Sequence, residues 1–71
     1  MRVPFNTIFI QHPDGTLEPR QRISVGGVDF GPGVRFSRGV AFAGIDFTLF
    51  VGHDIEADEE NNVLVIKGIY K

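Results

Sequence analysis

The chain has no cysteine and no tryptophan, and only one methionine and one tyrosine. Without cysteine, a disulfide and a thiolate-ligated zinc site are both excluded. That exclusion matters in a chain of 71 residues, which lies near the lower size limit for a self-sufficient core, where staples or partner chains are common. The absence also fits a reducing compartment, so the expectation is a cytoplasmic protein. A signal peptide is not read at the N-terminus, where Arg2 and Pro4 stand in place of a long apolar run. No apolar stretch approaches the roughly 18 residues that span a bilayer, and no membrane partner is expected. The net charge of −2 gives no global field that would recruit nucleic acid or anionic lipid. No segment shows a 3.6-residue apolar period with caps, which limits any helix to a single short turn.

What the chain does have is a repeat. Gly27-Val28-Asp29-Phe30, Gly33-Val34-Arg35-Phe36 and Gly39-Val40-Ala41-Phe42 follow one another at intervals of six, and Gly44-Ile45-Asp46-Phe47 comes one residue early. Side chains of an extended chain alternate faces with a period of two. A period of six therefore keeps parity and lets Val28, Phe30, Val34, Phe36, Val40 and Phe42 point the same way. The missing residue before Gly44 reverses parity, as a bulge or corner at Ala43-Gly44 would. A meander of two-residue hairpins fits this badly, because neighbouring strands would bury opposite sides. Residues 27 to 47 resemble the hexapeptide coils of β-helices, which implies a chain that bends without reversing. Three-residue loops with a bulge would give a curled meander instead.

The flanks read as short strands. Phe5 to Gln11 is rich in β-formers, with Phe5, Thr7 and Phe9 on one face and Asn6, Ile8 and Ile10 on the other. His12-Pro13-Asp14-Gly15 is a turn, and Pro19 confines the returning strand to an edge or ends it. Ile23 and Val25 alternate with Arg20, Arg22 and Ser24, and Gly26-Gly27 allows a bend. Ile45 to Val51 reads as a strand. Asp54, Glu56 and Asp58 alternate with Ile55 and Ala57, and Glu59-Glu60-Asn61-Asn62 is a polar turn. In the last strand Val63, Val65, Lys67 and Ile69 share one face, while Leu64, Ile66 and Tyr70 share the other. Apolar bulk on both faces of the first and last strands implies cover on both sides, and a partner subunit is one source of it. The expected fold is a single all-β domain over residues 1–71, with five to seven short strands in a small barrel, β-roll or compact sandwich.

Sites with chemistry are sparse. Arg20, Arg22, Arg35 and Arg38, with nearby Phe residues, could form a phosphate-tracking face with stacking platforms, as small β-barrels that bind single strands do. The core parity of the Phe residues and five nearby acids argue against it. Asp54, Glu56 and Asp58 beside His53 could ligate a hard cation. On a strand, however, i and i+2 carboxylates stand about 6.5–7 Å apart, too far for one ion without further ligands. His12 and His53 each neighbour an aspartate in sequence without an oriented partner. Ser24, Ser37, Thr7, Thr16 and Thr48 sit in no nucleophile motif. The glycines lack the Gly-Lys-Ser/Thr sequence of a phosphate loop. No catalytic set and no cofactor are expected. The expected function is non-catalytic: a homo-oligomer, or docking on another protein, through Phe5, Ile8, Ile10, Val63, Val65, Ile69 and Tyr70. The basic stretch from Arg20 to Arg38 and the acidic stretch from Asp54 to Glu60 would set orientation and on-rate. Nucleic-acid binding through the four arginines is the alternative.

Overall fold

A computed structural model describes all of residues 1–71. It is a mostly-strand fold with strands β1 (Arg2–Pro4), β2 (Phe9–Gln11), β3 (Leu17–Pro19), β4 (Ile23–Val25), β5 (Val28–Phe30), β6 (Asp54–Glu60) and β7 (Val63–Ile69). One helical turn, α1 (Phe5–Ile8), joins β1 to β2, and a 3₁₀ turn covers Phe47–Phe50. The strands form two sheets. The larger runs β1-β6-β7-β4-β5, and β2-β3 is a separate hairpin. Every pairing is antiparallel except β4 with β7, which is parallel. No helix is long and apolar enough to cross a membrane.

The two layers share one core. Val3, Ile23, Val25, Ile55, Ala57, Leu64 and Ile66 enter it from the large sheet, and Phe5, Ile8, Phe9, Leu17, Phe36 and Phe47 from the layer opposite. All buried side chains are apolar, so hydrophobic burial and ring packing carry the stability.

The repeat builds most of the second layer. Its glycines all have positive φ: +85° at Gly27, +98° at Gly33, +85° at Gly39 and +78° at Gly44. Only glycine adopts this region without a steric cost. Each glycine is the third residue of a four-residue turn. Val34 N–H donates to Gly31 O (3.2 Å), Val40 N–H to Ser37 O (3.3 Å) and Ile45 N–H to Phe42 O (2.9 Å). The first copy closes the β4–β5 hairpin, where Val25 faces Val28. In the fourth copy Phe42 itself opens the turn, which is why that copy comes one residue early. The motif thus reads as turn glycine, aliphatic residue at the turn exit, spacer, and Phe into the core.

The expectation that the repeat's valines and phenylalanines face one way is corrected. Phe36 is buried and Phe30 and Phe42 pack against the core, while Val28, Val34 and Val40 are 56%, 39% and 45% exposed. The valines stand at the rim, where the chain has just turned. The rings, two residues on, reach inward.

The expected strand from Ile45 to Val51 is also corrected. Asp46 accepts from Thr48 N–H (3.0 Å) and Thr48 Oγ1 (2.6 Å), capping the 3₁₀ turn and leaving Leu49 68% exposed. Local side-chain bonding of this kind competes with the strand ladder.

Both doubly apolar strands resolve into changes of phase. Pro4 presets φ at −61°, and the next four residues take one helical turn. Phe5, Ile8 and Phe9, spaced i, i+3 and i+4, then bury together, while Asn6 and Thr7 face water. In β7 the partner register steps from Glu56↔Gly68 to Ala57↔Ile66. Lys67 is the unpaired residue of a bulge. Leu64 and Ile66 face the core before it and Ile69 after it. Phe5 and Ile8 are therefore buried core contacts of their own chain and not a surface for a partner, and the half-buried Ile69 packs against the same core.

Three substitutions test this reading. Phe36 touches the rings of Phe9, Phe30, Phe42 and Phe47 at centroid distances of 5.8, 5.1, 4.6 and 5.9 Å. Phe36→Ala is expected to lower the unfolding free energy by about 3–5 kcal/mol in urea titration. At Gly26 an added Cβ would stand 2.9 Å from that of Ala43, whereas at Gly27 it would meet open space. Both glycines have positive φ, so Gly27→Ala should cost about 1–2 kcal/mol and Gly26→Ala measurably more in the same titration.

Candidate functional site

The large sheet has one face on the core and one face uncovered. Alternation along each strand decides what the uncovered face presents. Register aligns Pro4, Asp54 and Tyr70 in one row, with Tyr70 N–H donating to Asp54 O at 2.9 Å. Arg2, Glu56 and Gly68 form the next row. A third row holds Asp58, Val65, Ser24 and Asp29. Glu60 and Val63 close the hairpin end. Val63, Val65 and Tyr70 are half-buried there. The face therefore carries an apolar stripe, Val63 and Val65 on β7 and Tyr70 just beyond it, flanked by Asp54, Glu56, Asp58 and Glu60 on β6 and by Asp29 on β5.

Tyr70 is held in place by polar contacts. Its hydroxyl donates to Glu56 Oε1. The Arg2 guanidinium lies 4.3 Å from its ring centroid, and Arg2 Nε donates to Asp54 Oδ2 at 2.7 Å. Glu56 also accepts from the Met1 amine. These bonds, the amine's first and the tyrosine's second, hold the Glu56 carboxyl below its ordinary range. The same bond to Glu56, followed by burial, pushes the Tyr70 phenol up. Tyr70 thus stays a neutral donor and Glu56 a charged acceptor.

The second layer treats charge differently. Its three carboxylates turn inward onto turns. Asp14 accepts from Thr16 N–H (3.0 Å) and Thr16 Oγ1 (2.7 Å). Glu18 accepts from His12 Nε2–H (2.7 Å) and Gly33 N–H (2.8 Å). Asp46 accepts from Gly39 N–H (2.9 Å) besides the two groups of Thr48. These hydrogen bonds lower all three acidities' midpoints: through Thr16 for Asp14, His12 for Glu18 and Thr48 for Asp46. The arginines of the same layer point outward. Arg20 Nε donates to Asn6 O (2.8 Å), and Arg35 lies 3.4 Å from Asp14 with half of its side chain exposed. Arg38 borders a cleft of about 440 Å³ with Asp14, Gly15, Thr16 and Ser37.

The four arginines are not brought into one face. Arg22 pairs with Asp29 at 3.3 Å at the edge of the large sheet, while Arg20, Arg35 and Arg38 belong to the second layer. The rings that would serve as stacking platforms are packed on one another, Phe30 with Phe36 at 5.1 Å and Phe30 with Phe42 at 4.8 Å. Of the residues expected at a docking surface, Val63, Val65 and Tyr70 lie on the uncovered face, while Ile10 is half-buried in the β2-β3 hairpin. His53 Nδ1 contacts Tyr70 O at 2.9 Å, not Asp54. Arg2 and Asp29 complete the uncovered face without having been singled out in the sequence. Arg2–Pro4 is too short, and ends in proline, for alternation to reveal it as a strand. No family model matches this chain, and comparison with curated proteins and with solved structures gives no match.

The lowered carboxyls give stability a defined pH dependence. A carboxyl whose folded pKa lies below its unfolded value contributes stability above the unfolded value and loses it as pH falls through the folded one. With unfolded values of about 4, the melting temperature should hold near neutrality and fall progressively below about pH 4. Glu18→Gln should lower the neutral-pH plateau and flatten the acid slope in thermal melts followed by circular dichroism. An unchanged slope would show that the His12–Glu18–Gly33 contacts do not contribute.

Proposed function

We propose that the protein is a non-catalytic docking module whose site is the uncovered face of the large sheet. Its partner is a protein surface that carries lysine or arginine side chains together with apolar ones. The observation that supports this reading is the composition of the face: Val63, Val65 and Tyr70 along its central strand, five carboxylates on either side, and Arg2, Arg22 and the Met1 amine to balance them. Apolar burial supplies affinity at about 25 cal/mol per Å², less the costs of association. The carboxylates select the sign of the partner and raise the encounter rate. A stable interface takes about 800 Å² from each side, close to a fifth of this molecule's 4210 Å². A small patch would not suffice; most of one face must take part.

The test uses a peptide of alternating lysine and valine as probe, titrated into the isotopically labelled protein. Amide shifts are expected at Ser24, Asp58, Val65 and Tyr70. Binding should weaken with salt and should fall at least tenfold in Val65→Asp, with the fold retained by circular dichroism. Shifts confined to Arg20, Arg35 and Arg38 on titration of a single-stranded oligonucleotide, with none on the sheet from the peptide, would replace this reading with nucleic-acid binding.

A further inference from the structure

We infer that β5 is a self-pairing edge: two copies of this chain join β5 to β5, antiparallel about Asp29, and so run their large sheets into one. The inference stands apart from the docking reading, because it leaves the outer faces of both sheets free.

The free edges of the large sheet are not alike. β1 ends in Pro4, which has no N–H to offer, and its inward side chain Val3 is already buried. β6 runs on past Ala57, whose N–H is taken by Met1 O. There Glu59 stands opposite Leu64, hence on the inner side, and is exposed. An inward charge at an edge deters strand pairing. β5 ends the sheet at its other margin and carries neither device. Val28 and Phe30 stand opposite Val25 and Ile23, and so on the inner side. Val28 is 56% exposed and Phe30 half-buried. The ring of Phe42, also half-buried, lies 4.8 Å from that of Phe30. The apolar core is left open along this edge.

The backbone is open there as well. The two-residue turn Gly26-Gly27 makes Val25 and Val28 a hydrogen-bonded pair. Bonding then alternates along β5. Val28 and Phe30 bond to β4, while Gly27 O, Asp29 N–H, Asp29 O and Gly31 N–H point out of the sheet. No other backbone group of the chain takes them. Gly31 is not among the glycines with positive φ, as suits an extended residue ahead of Pro32.

Two such edges match when set antiparallel about Asp29. Each Asp29 N–H donates to Asp29 O of the other copy, and each Gly31 N–H to the other copy's Gly27 O. Directly opposed residues share a face. Val28 of each copy then lies against Phe30 of the other on the inner side, which covers the apolar residues the edge leaves bare. The cost falls at Asp29, whose carboxylate meets its own copy on the outer side. Arg22 of the same chain, 3.3 Å away, offsets part of that repulsion. Pro32 ends the edge. A contact so short is smaller than the about 800 Å² per partner of a stable interface, so the dimer exchanges with monomer.

The test follows mass by sedimentation equilibrium, from micromolar to millimolar concentration, for the parent and three variants. The parent is expected to pass from monomer to dimer within that range. Asp29→Thr removes the opposed carboxylates and favours a strand, and should tighten the dimer about tenfold. Asp29→Pro removes the outward N–H and no ladder bond, and Val28→Lys places a charge on the inner side. Each of these two should stay monomeric with the parent's circular dichroism. In a dimer of mixed isotope labelling, a nuclear Overhauser contact is expected between the α-protons of Val28 in one copy and Phe30 in the other. A parent that is monomeric at millimolar concentration overturns the proposal, and its binding of the lysine–valine peptide would leave the docking reading standing. An Asp29→Thr dimer no tighter than the parent's also overturns it. So does a dimer that persists in both Asp29→Pro and Val28→Lys, and loss of that dimer in Val65→Asp would assign the contact to the sheet face instead.

Discussion

The structure depends on one packed set of phenylalanine rings. Between Gly31 and His53 the chain has no regular strand, only the isolated bridges Leu17↔Phe36 and Phe42↔Ile45 and the 3₁₀ turn. Backbone ladders therefore do little to place this third of the molecule. Phe30, Phe36, Phe42 and Phe47 place it instead, each delivered by a glycine turn and each in contact with at least one other ring. Phe9, 5.2 Å from Phe47, links the cluster to the hairpin layer. A turn glycine with positive φ and a ring three residues later form one mechanical unit. The turn aims the ring, and the ring's burial holds the turn.

The same arrangement governs the surface. Because the rings go inward, the residues at the turn exits and spacers must go outward, and these are Val34, Arg35 and Val40. Because the turns need their N–H groups satisfied, nearby carboxylates are drawn in. Glu18 caps Gly33 N–H and Asp46 caps Gly39 N–H. A hydrogen bond to a charged group is worth more than an exposed ion pair. The layer so presents arginine although its acidic and basic residues are similar in number. On the large sheet the carboxylates have no turns to cap, and alternation alone puts Asp54, Glu56 and Asp58 on the uncovered side.

The sequence made much of this legible, and its failures share a cause. Strand alternation correctly set Ile23 and Val25, and Ile55 and Ala57, on the face opposite their polar neighbours, and that face is the core. The positions of the turns at Pro13-Asp14-Gly15, Gly26-Gly27 and Asn61-Asn62 followed from residue type, but the repeat, expected to bend without reversing, reverses the chain at Gly26-Gly27 and at Ala43-Gly44. Parity, however, assumes an unbroken extended chain. Pro4 set off a helical turn that moved Ile8 and Phe9 to one side. The Lys67 bulge shifted Ile69 into register with the core. Asp46 rolled Phe47–Phe50 into a 3₁₀ turn. In each case a local bonding choice changed the phase, and the pattern downstream then looked like a second apolar face. The spacing of Phe5, Ile8 and Phe9 was the available signal for the first of these; nothing in residue type alone marks Lys67.

The uncovered face follows from how the chain is shared between layers. Strands β4 and β7 are parallel, so the chain between them must cross over the sheet. That crossover supplies β5 and β6 to the sheet and the ring-bearing repeat to its inner side. The segment before β4 supplies β1 to the sheet and then α1, β2 and β3, again to the inner side. Within residues 1–71 both long excursions therefore go to the same layer, because one set of rings has to close one core. Parallel pairing is found mostly in sheets covered on both faces, yet here Ser24 and Val65 stand at the outer side of the parallel pair with only neighbouring side chains for cover. The demand of the ring cluster for two excursions on one side is what leaves the other side uncovered.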